Sequence, residues 1–317
     1  MRAANWKDYE LLDTSAGERL ERWGEVILIR PDPQIIWNTP KQLALWKQAH
    51  ARYRRSSTGG GAWQILKKVP PVWKISYGDL RFQLKTMGFK HTGVFPEQAV
   101  NWDFTGNLIR NAPKPLKVLN LFAYTGGASL AARAAGAEVT HVDSVKPVVG
   151  YTGGATLACA AAGASVCHVD ASKGMVAWAR ENAAASGLSD RPIRWLVDDC
   201  IKFVQREQRR GNRYDGIIMD PPSYGRGPGG EVWKLEEQLF SLVELCRSIL
   251  SPDAKFFLLN SYTTGLSPSV MEYLLGVLLQ KPMGGRVASD EIGLPVTSTG
   301  QVLPCGSTAI WTGKDVE

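Results

Sequence analysis

Residues 124–150 (YTGGASLAARAAGAEVTHVDSVKPVVG) are followed without a gap by residues 151–177 (YTGGATLACAAAGASVCHVDASKGMVA), and 17 of the 27 positions are identical. Tyr-Thr-Gly-Gly and His-Val-Asp recur in register, which separates this repeat from mere drift in an Ala/Gly-rich composition. Each copy encodes a glycine turn, a short Ala-rich helix and a strand ending in Asp143 or Asp170. One such unit is too small to fold alone and must be built into a larger sheet. Copy one is joined to the apolar strand Leu116 to Phe122, and copy two to a helix predicted over Ala171 to Ser186. A doubly wound sheet needs one unit between them. The second therefore adds a strand, is displaced as an insertion, or is exchanged with a neighbouring subunit to give a homodimer. Copy two has Ala160 where copy one has Arg133, and Ser165 where copy one has Glu138, which favours deeper burial of copy two.

The rest of the chain beyond about residue 115 alternates in the same way. Apolar strands are predicted at Ile193 to Val197, Tyr214 to Met219 and Lys255 to Leu259, with helices over Ile201 to Arg210 and Trp233 to Leu250. This order defines an α/β fold: a doubly wound, Rossmann-like parallel sheet with helices on both faces and ligands at the C-terminal strand ends. Residues 1–90 read differently. They are rich in Trp and short alternating runs, with strands predicted at Gly24 to Arg30, Trp63 to Leu66, Trp73 to Tyr77 and Leu80 to Leu84. A small β-rich N-terminal module (1–90) is expected to precede the main domain (91–317).

The composition, 44% hydrophobic and 21% charged, is that of a soluble globular protein. No basic region followed by an apolar run opens the chain, and no stretch is long and apolar enough for a bilayer, so a cytoplasmic protein without a membrane partner is expected. Five cysteines form no CxxC pair and four histidines show no ligand spacing, so no metal site is expected. The formal charge is +7, clustered at Arg52, Arg54 and Arg55, at Lys67 and Lys68, and at Arg206, Arg209, Arg210 and Arg213. Such clusters favour a polyanion such as RNA as partner.

Three motifs carry chemistry. The strand ending at Phe122 runs into Tyr124-Thr125-Gly126-Gly127, a turn that lets a ligand approach the backbone and the following helix N-terminus. It is neither GxGxxG nor a Walker loop. The next strand ends in Asp143 or Asp170, the latter followed by Ser172; a carboxylate there can accept both hydroxyls of a ribose. Asp198 and Asp199 end the strand after, where one can meet an adenine amino group and one can cap the next helix. Last, Asp220-Pro221-Pro222-Ser223-Tyr224 follows a buried strand. Its prolines fix a rigid turn that can present Asp220 and Tyr224 to a planar acceptor.

In this order the motifs resemble class I methyltransferases, in particular the bacterial family related to 23S ribosomal RNA large-subunit methyltransferases. The similarity covers roughly residues 85–317. It rests on GFKHTGVFPEQ (88–98), NLFAYTG (120–126), HVDAS (168–172), VDD (197–199), DPPSY (220–224) and NSYTTG (260–265). The resemblance implies that S-adenosylmethionine is bound by Phe122 and Tyr124 to Gly127, by Asp170 or Asp143 with Ser172, and by Asp198 and Asp199. It implies that residues 90–98 lie beside the cofactor. It further implies an RNA substrate, with Asp220, Pro221, Pro222 and Tyr224 at the acceptor. Members that methylate C5 of cytosine carry a Cys after the strand corresponding to Lys255 to Leu259; here Asn260-Ser-Tyr stands there, which points to in-line transfer to a base nitrogen. Two other readings stay open: a nicotinamide-dependent oxidoreductase on a similar sheet, and a non-catalytic RNA-binding protein whose pocket the duplication has altered.

Overall fold

A computed structural model of the chain describes residues 2–3, 6–56, 60–78, 80–86, 90–122, 127–142, 166–170, 193–226 and 232–316. Two compact units emerge, one of residues 1–100 with 292–305, the other of residues 101–291 with 306–317. The sequence boundary expected near residue 90 thus falls short of the division between units. It also misses the return of residues 292–305, which no local signal announces.

In the first unit, β1 (Arg2–Ala3) pairs with residues 292–293 of a late strand, β17 (Arg286–Pro295). Five further strands form a sheet in the order β2-β3-β4-β5-β6: Tyr9–Ser15, Glu18–Trp23, Val26–Pro31, Ala51–Arg55 and Gly61–Ile65. The β2–β3 hairpin turns on Ala16 and Gly17, both with positive φ (52° and 72°), the backbone that two-residue hairpins favour. β7 (Trp73–Tyr77) and β8 (Leu80–Leu84) make a separate hairpin, as the alternation predicts.

The second unit is the doubly wound sheet. β9 (Lys117–Leu121), β10 (Glu138–Val142), β11 (Val166–Asp170), β12 (Ile193–Val197), β13 (Gly216–Met219), β16 (Phe256–Ser261) and β18 (Val302–Thr312) lie in the order β18-β16-β13-β9-β10-β11-β12. Every pairing in this series is parallel except that of β18 with β16. β14 (Tyr224–Arg226) and β15 (Val232–Lys234) form a short antiparallel ribbon of their own. Alternate residues of the main sheet feed two cores, one on each face. Leu119, Leu121, Ile217, Met219, Phe257 and Leu259 enter one, and Val118, Ile218, Phe256 and Leu258 the other. Helices Leu235–Arg247 and Cys200–Arg209 supply the first core, and helices Ala99–Arg110 and Gly127–Ala134 the second. Gly216 is required by packing, since a Cβ there would lie 2.4 Å from the Phe256 ring.

The repeat is resolved by the strand order. β10, from copy one, pairs with β9; β11, from copy two, pairs with β10 on one side and β12 on the other. The β10–β11 register joins Thr140 to Cys167, His141 to His168 and Val142 to Val169, an offset equal to the repeat length. A strand from each copy therefore sits in one sheet of one chain, and an extra strand is the outcome among the three expected. The pairing of β10 with β11 needs no second subunit. The helix predicted over Ala171 to Ser186 lies outside the described residues. Among the described residues no helix is long and apolar enough to cross a membrane.

Candidate cofactor and acceptor site

The middle strands β9 and β13 pair in register up to Leu121 and Met219, so Phe122 and Asp220 follow as neighbours at the C-terminal edge. Phe122 adopts φ 56°, a left-handed backbone uncommon for a bulky residue. Its ring is 7% exposed and packs on Trp233 with centroids 5.8 Å apart. The indole Nε1 of Trp233 donates to the carbonyl oxygen of Pro222 at 2.6 Å. One side chain thus ties the entrance of the glycine turn to the Asp-Pro-Pro turn. These motifs are 98 residues apart in sequence, and the structure brings them together.

Asp220 is held from its other neighbour. Asn260 on β16 donates through Nδ2 to Oδ1 of Asp220 at 3.0 Å. Its own Oδ1 accepts from Nδ2 of Asn101 at 3.5 Å. The two asparagines are 1% and 2% exposed. This chain fixes which way the Asn260 amide points, with NH₂ toward the carboxylate. The turn is also pinned by Ser223, whose Oγ lies 2.6 Å from Oγ1 of Thr263. Pro221 is buried, whereas Tyr224 is 53% exposed and pairs with Lys234 in the β14–β15 ribbon. Sequence reasoning missed Asn101 and named Asn260 in a family motif and for the thiol it replaces, without giving its amide a role. The available signal was a lone amide at the end of the apolar run Phe256–Ser261, which a buried position obliges to find partners.

The other predicted residues divide. Asp199 is spent on the helix Cys200–Arg209: its Oδ1 accepts from the N–H groups of Ile201 (2.8 Å) and Lys202 (3.2 Å). Asp199 thus serves as the N-cap of this helix through Oδ1. Asp198 is partly buried and ion-paired with Arg206. Asp170 ends β11 and Gly127 opens the helix Gly127–Ala134. Tyr124, Thr125, Gly126, Asp143 and Ser172 lie outside the described residues. Cys246 is buried, and burial pushes its thiol pKa far up, so it offers no thiolate to the reaction.

The stretch 90–98 belongs to the first unit, in a group of buried charges. Glu21 is fully buried and receives Nε and Nη2 of Arg30 at 2.5 and 2.7 Å, the hydroxyl of Tyr9 at 2.8 Å, and Nε of Arg19 at 3.5 Å. Burial alone would raise the Glu21 carboxyl; Arg19 and Arg30 outweigh it and hold the pKa at about 2. Glu97 goes the other way: burial raises its pKa against the pull of Arg19 and Arg30. Burial, with Arg19 and Arg30 nearby, lowers Lys90 to about 8; burial, with Arg30 and Lys90, lowers His91 to about 3.

A parallel doubly wound sheet with a left-handed residue, Phe122, after its middle strand and an Asp-Pro-Pro turn on the adjacent strand suits an enzyme that binds a nucleoside cofactor at its C-terminal strand ends. No family model matches the chain. A solved SAM-dependent methyltransferase from Agrobacterium tumefaciens is 37% identical, covering 99% of this chain and 93% of that one, with a TM-score of 0.81. The chain belongs to the SAM-dependent methyltransferases, and S-adenosylmethionine (SAM) is its cofactor. The structure of SMU.776 in complex with SAH (18% identity, TM-score 0.63, covering 98% and 76%) shares the fold. Among curated proteins, ribosomal RNA large subunit methyltransferase K/L of Shewanella frigidimarina is 27% identical over 212 residues, 66% of this chain and 25% of that protein. The same enzyme of Pseudoalteromonas atlantica is 24% identical over 231 residues, 72% and 27% respectively. The chain spans about a quarter of the length of these relatives. The nicotinamide reading is set aside by the family assignment.

Proposed function

We propose that the chain transfers the methyl group of SAM to a base nitrogen of RNA, ribosomal RNA being the favoured acceptor. The observation that carries this is the Asp220 turn, held by Asn260 where a pyrimidine C5 enzyme would need a thiol. A nitrogen acceptor needs no covalent enzyme adduct, only positioning. The ribosomal RNA enzymes among the relatives supply the substrate class.

SAM, when bound, supplies a methyl group on a sulfonium, activated for transfer. The protein's part is to orient. Tyr124 to Gly127, which follow Phe122 in sequence, would hold the methionine portion. Asp143 follows β10 in sequence, and the pairing of β10 with β9 favours it as the ribose acid. Asp170 ends the next strand out, and Asp198 the one beyond it, where it is already ion-paired with Arg206. The added strand supports a reading in which each role moves one strand outward, with Asp170 rather than Asp198 on the adenine side. Asp220 orients the acceptor base through its carboxylate, with Pro221 and Pro222 fixing the turn. Tyr224, more than half exposed, offers the base a stacking face.

Transfer of a tritiated methyl group from SAM to unmodified ribosomal RNA tests the reaction, with digestion and mass spectrometry locating the methyl. A methyl on pyrimidine C5 would overturn the nitrogen assignment. For the cofactor, calorimetric titration of Asp143→Ala and Asp170→Ala decides the order. The larger loss is expected for Asp143→Ala, and equal, negligible losses would sink the ribose assignment.

A further inference from the structure

The net charge of +7 is not spread over the chain. Residues 33–78 hold eight Lys and Arg and no Asp or Glu; the remainder holds 29 Lys and Arg against 30 Asp and Glu. The whole cationic excess thus lies in one segment of the first unit. Two of the eight are neutralised: Lys41 and Arg52 both pair with Glu18. The other six, Lys47, Arg54, Arg55, Lys67, Lys68 and Lys74, are exposed, and none has an ion-pair partner among the described residues.

The fold gathers four of these around one hairpin. β6 stands at the edge of its sheet with β5 as its one neighbour. Arg54 and Arg55 close one end of the β5–β6 ladder, opposite Ala62 and Gly61. Lys67 and Lys68 follow the other end, where the N–H groups of Leu66 and Lys67 donate to the carbonyl oxygen of His50. At about 3.3 Å per residue the two cationic pairs are separated by roughly 13 Å of strand. Between them lie Ile65 and Leu66, 55% and 48% exposed, and the half-buried Trp63, whose ring meets Tyr53 edge-on at 5.4 Å. Cations at both ends of an apolar and aromatic strip suit a single-stranded polyanion with planar bases. Phosphates meet the cations while bases lie on the strip.

We propose that the β5–β6 hairpin of the first unit, with Arg54, Arg55, Lys67 and Lys68, is a docking surface for single-stranded RNA. The proposal rests on the reading of RNA as the methyl acceptor and adds where the strand is held outside the transfer site. Exposed apolar residues on an edge strand call for a covering partner, and a polyanion with planar bases would cover them while pairing with the flanking cations.

The test uses the full chain with all four cations reversed to Glu, a milder variant with all four replaced by Gln, and Lys281→Gln as a cation control in the second unit. Binding of a fluorescent single-stranded RNA is followed by anisotropy across a salt series, SAM binding by calorimetry, and methyl transfer to ribosomal RNA in parallel. The expected result is a drop of at least tenfold in RNA affinity for both hairpin variants. The dependence of log affinity on log salt should become shallower by about 0.7 for each phosphate that the hairpin no longer neutralises. SAM binding should be retained, and Lys281→Gln should match the parent. RNA affinity and KM for RNA unchanged in both hairpin variants, with SAM bound normally, would overturn the docking surface and leave the RNA acceptor standing. A parent chain that binds no RNA, or that holds poly-glutamate as tightly, would overturn the docking surface; absence of methyl transfer to RNA as well would overturn the acceptor reading too.

Discussion

The two units of the molecule bury different things. The first places Arg19, Glu21, Arg30, Asp32 and Glu97 in its interior, with Tyr9 donating into the group. The second fills both faces of its sheet with Leu, Ile, Val, Phe and Met, and its buried polar residues are chiefly neutral, among them Asn101, Thr105, Asn120 and Asn260. A charged interior depends on every partner being present, whereas an apolar one depends on volume. The first unit thus gathers buried charges whose contributions to stability follow pH. The second can hold neutral amides beside the transfer site without coupling them to bulk protonation.

The largest effect expected from this contrast is the loss of Glu21. Glu21→Gln removes the anion that Arg19 and Arg30 face, leaving buried guanidinium charge uncompensated at a cost of about 3–5 kcal/mol. Phe257→Ala, in the apolar core of the second unit, is expected to cost a similar amount, about 3–5 kcal/mol, through lost burial and a cavity. The two differ in pH dependence. Glu21 has a folded pKa of about 2 against an ordinary 4.5, so its contribution is full above about pH 4.5 and fades as pH falls toward 2. The penalty of Glu21→Gln should shrink over that window, while that of Phe257→Ala stays constant. Denaturant titrations read by Trp fluorescence suit the measurement, since Arg30 lies 5.1 Å over the buried Trp23 ring. Parallel penalties at every pH would refute the contrast. Glu97 carries the opposite sign. Its raised pKa favours the fold at low pH and loses that contribution as pH rises through the folded value. Glu97→Gln should therefore raise Tm at neutral pH, where Glu21→Gln lowers it; a fall in Tm would show that its charge is wanted.

Next in size is the effect on transfer of releasing Asp220. Asn260→Leu keeps the burial and removes both hydrogen bonds. Methyl transfer is expected to fall on the order of a hundredfold in kcat, the scale of a misplaced reacting group, with the Kd for SAM little changed. Asn260→Asp keeps the shape but sets a second carboxylate against the first, so its rate should recover toward low pH, where one of the pair is protonated. A Kd for SAM that rises as far as kcat falls would make Asn260 part of the cofactor site instead.

Much of this arrangement is legible in the sequence, for identifiable reasons. β7, β8 and β12 appear where alternation or apolar runs predict them, and Asp220 stands at a strand end as expected. The β2–β3 hairpin is not legible. Its turn uses Ala16 in a left-handed backbone, without the Asn-Gly that signals such turns. Its second strand, Glu18–Trp23, looks exposed because four of its six residues are charged, yet two of those four, Arg19 and Glu21, are buried against each other and Arg30. The Asn101–Asn260–Asp220 chain is equally hidden, because it joins residues 159 and 40 positions apart. The repeat announces two candidate acids, but only strand pairing ranks them.

The smallest expected effect concerns the fourth carboxylate of the predicted set. Asp199 accepts from two N–H groups at the start of the helix Cys200–Arg209, so Asp199→Ala should cost about 1 kcal/mol of stability, and Asp199→Ser should recover most of it. Neither variant should alter the Kd for SAM by more than its effect on the folded fraction. Asp198, one residue earlier and ion-paired with Arg206, gives the sharper comparison. If the added strand has moved the adenine side to Asp170, Asp198→Asn should also leave the Kd for SAM unchanged. A tenfold weaker Kd in Asp198→Asn, with Asp170→Ala silent, would put the adenine back on β12 and leave copy two of the repeat as a spacer in the sheet.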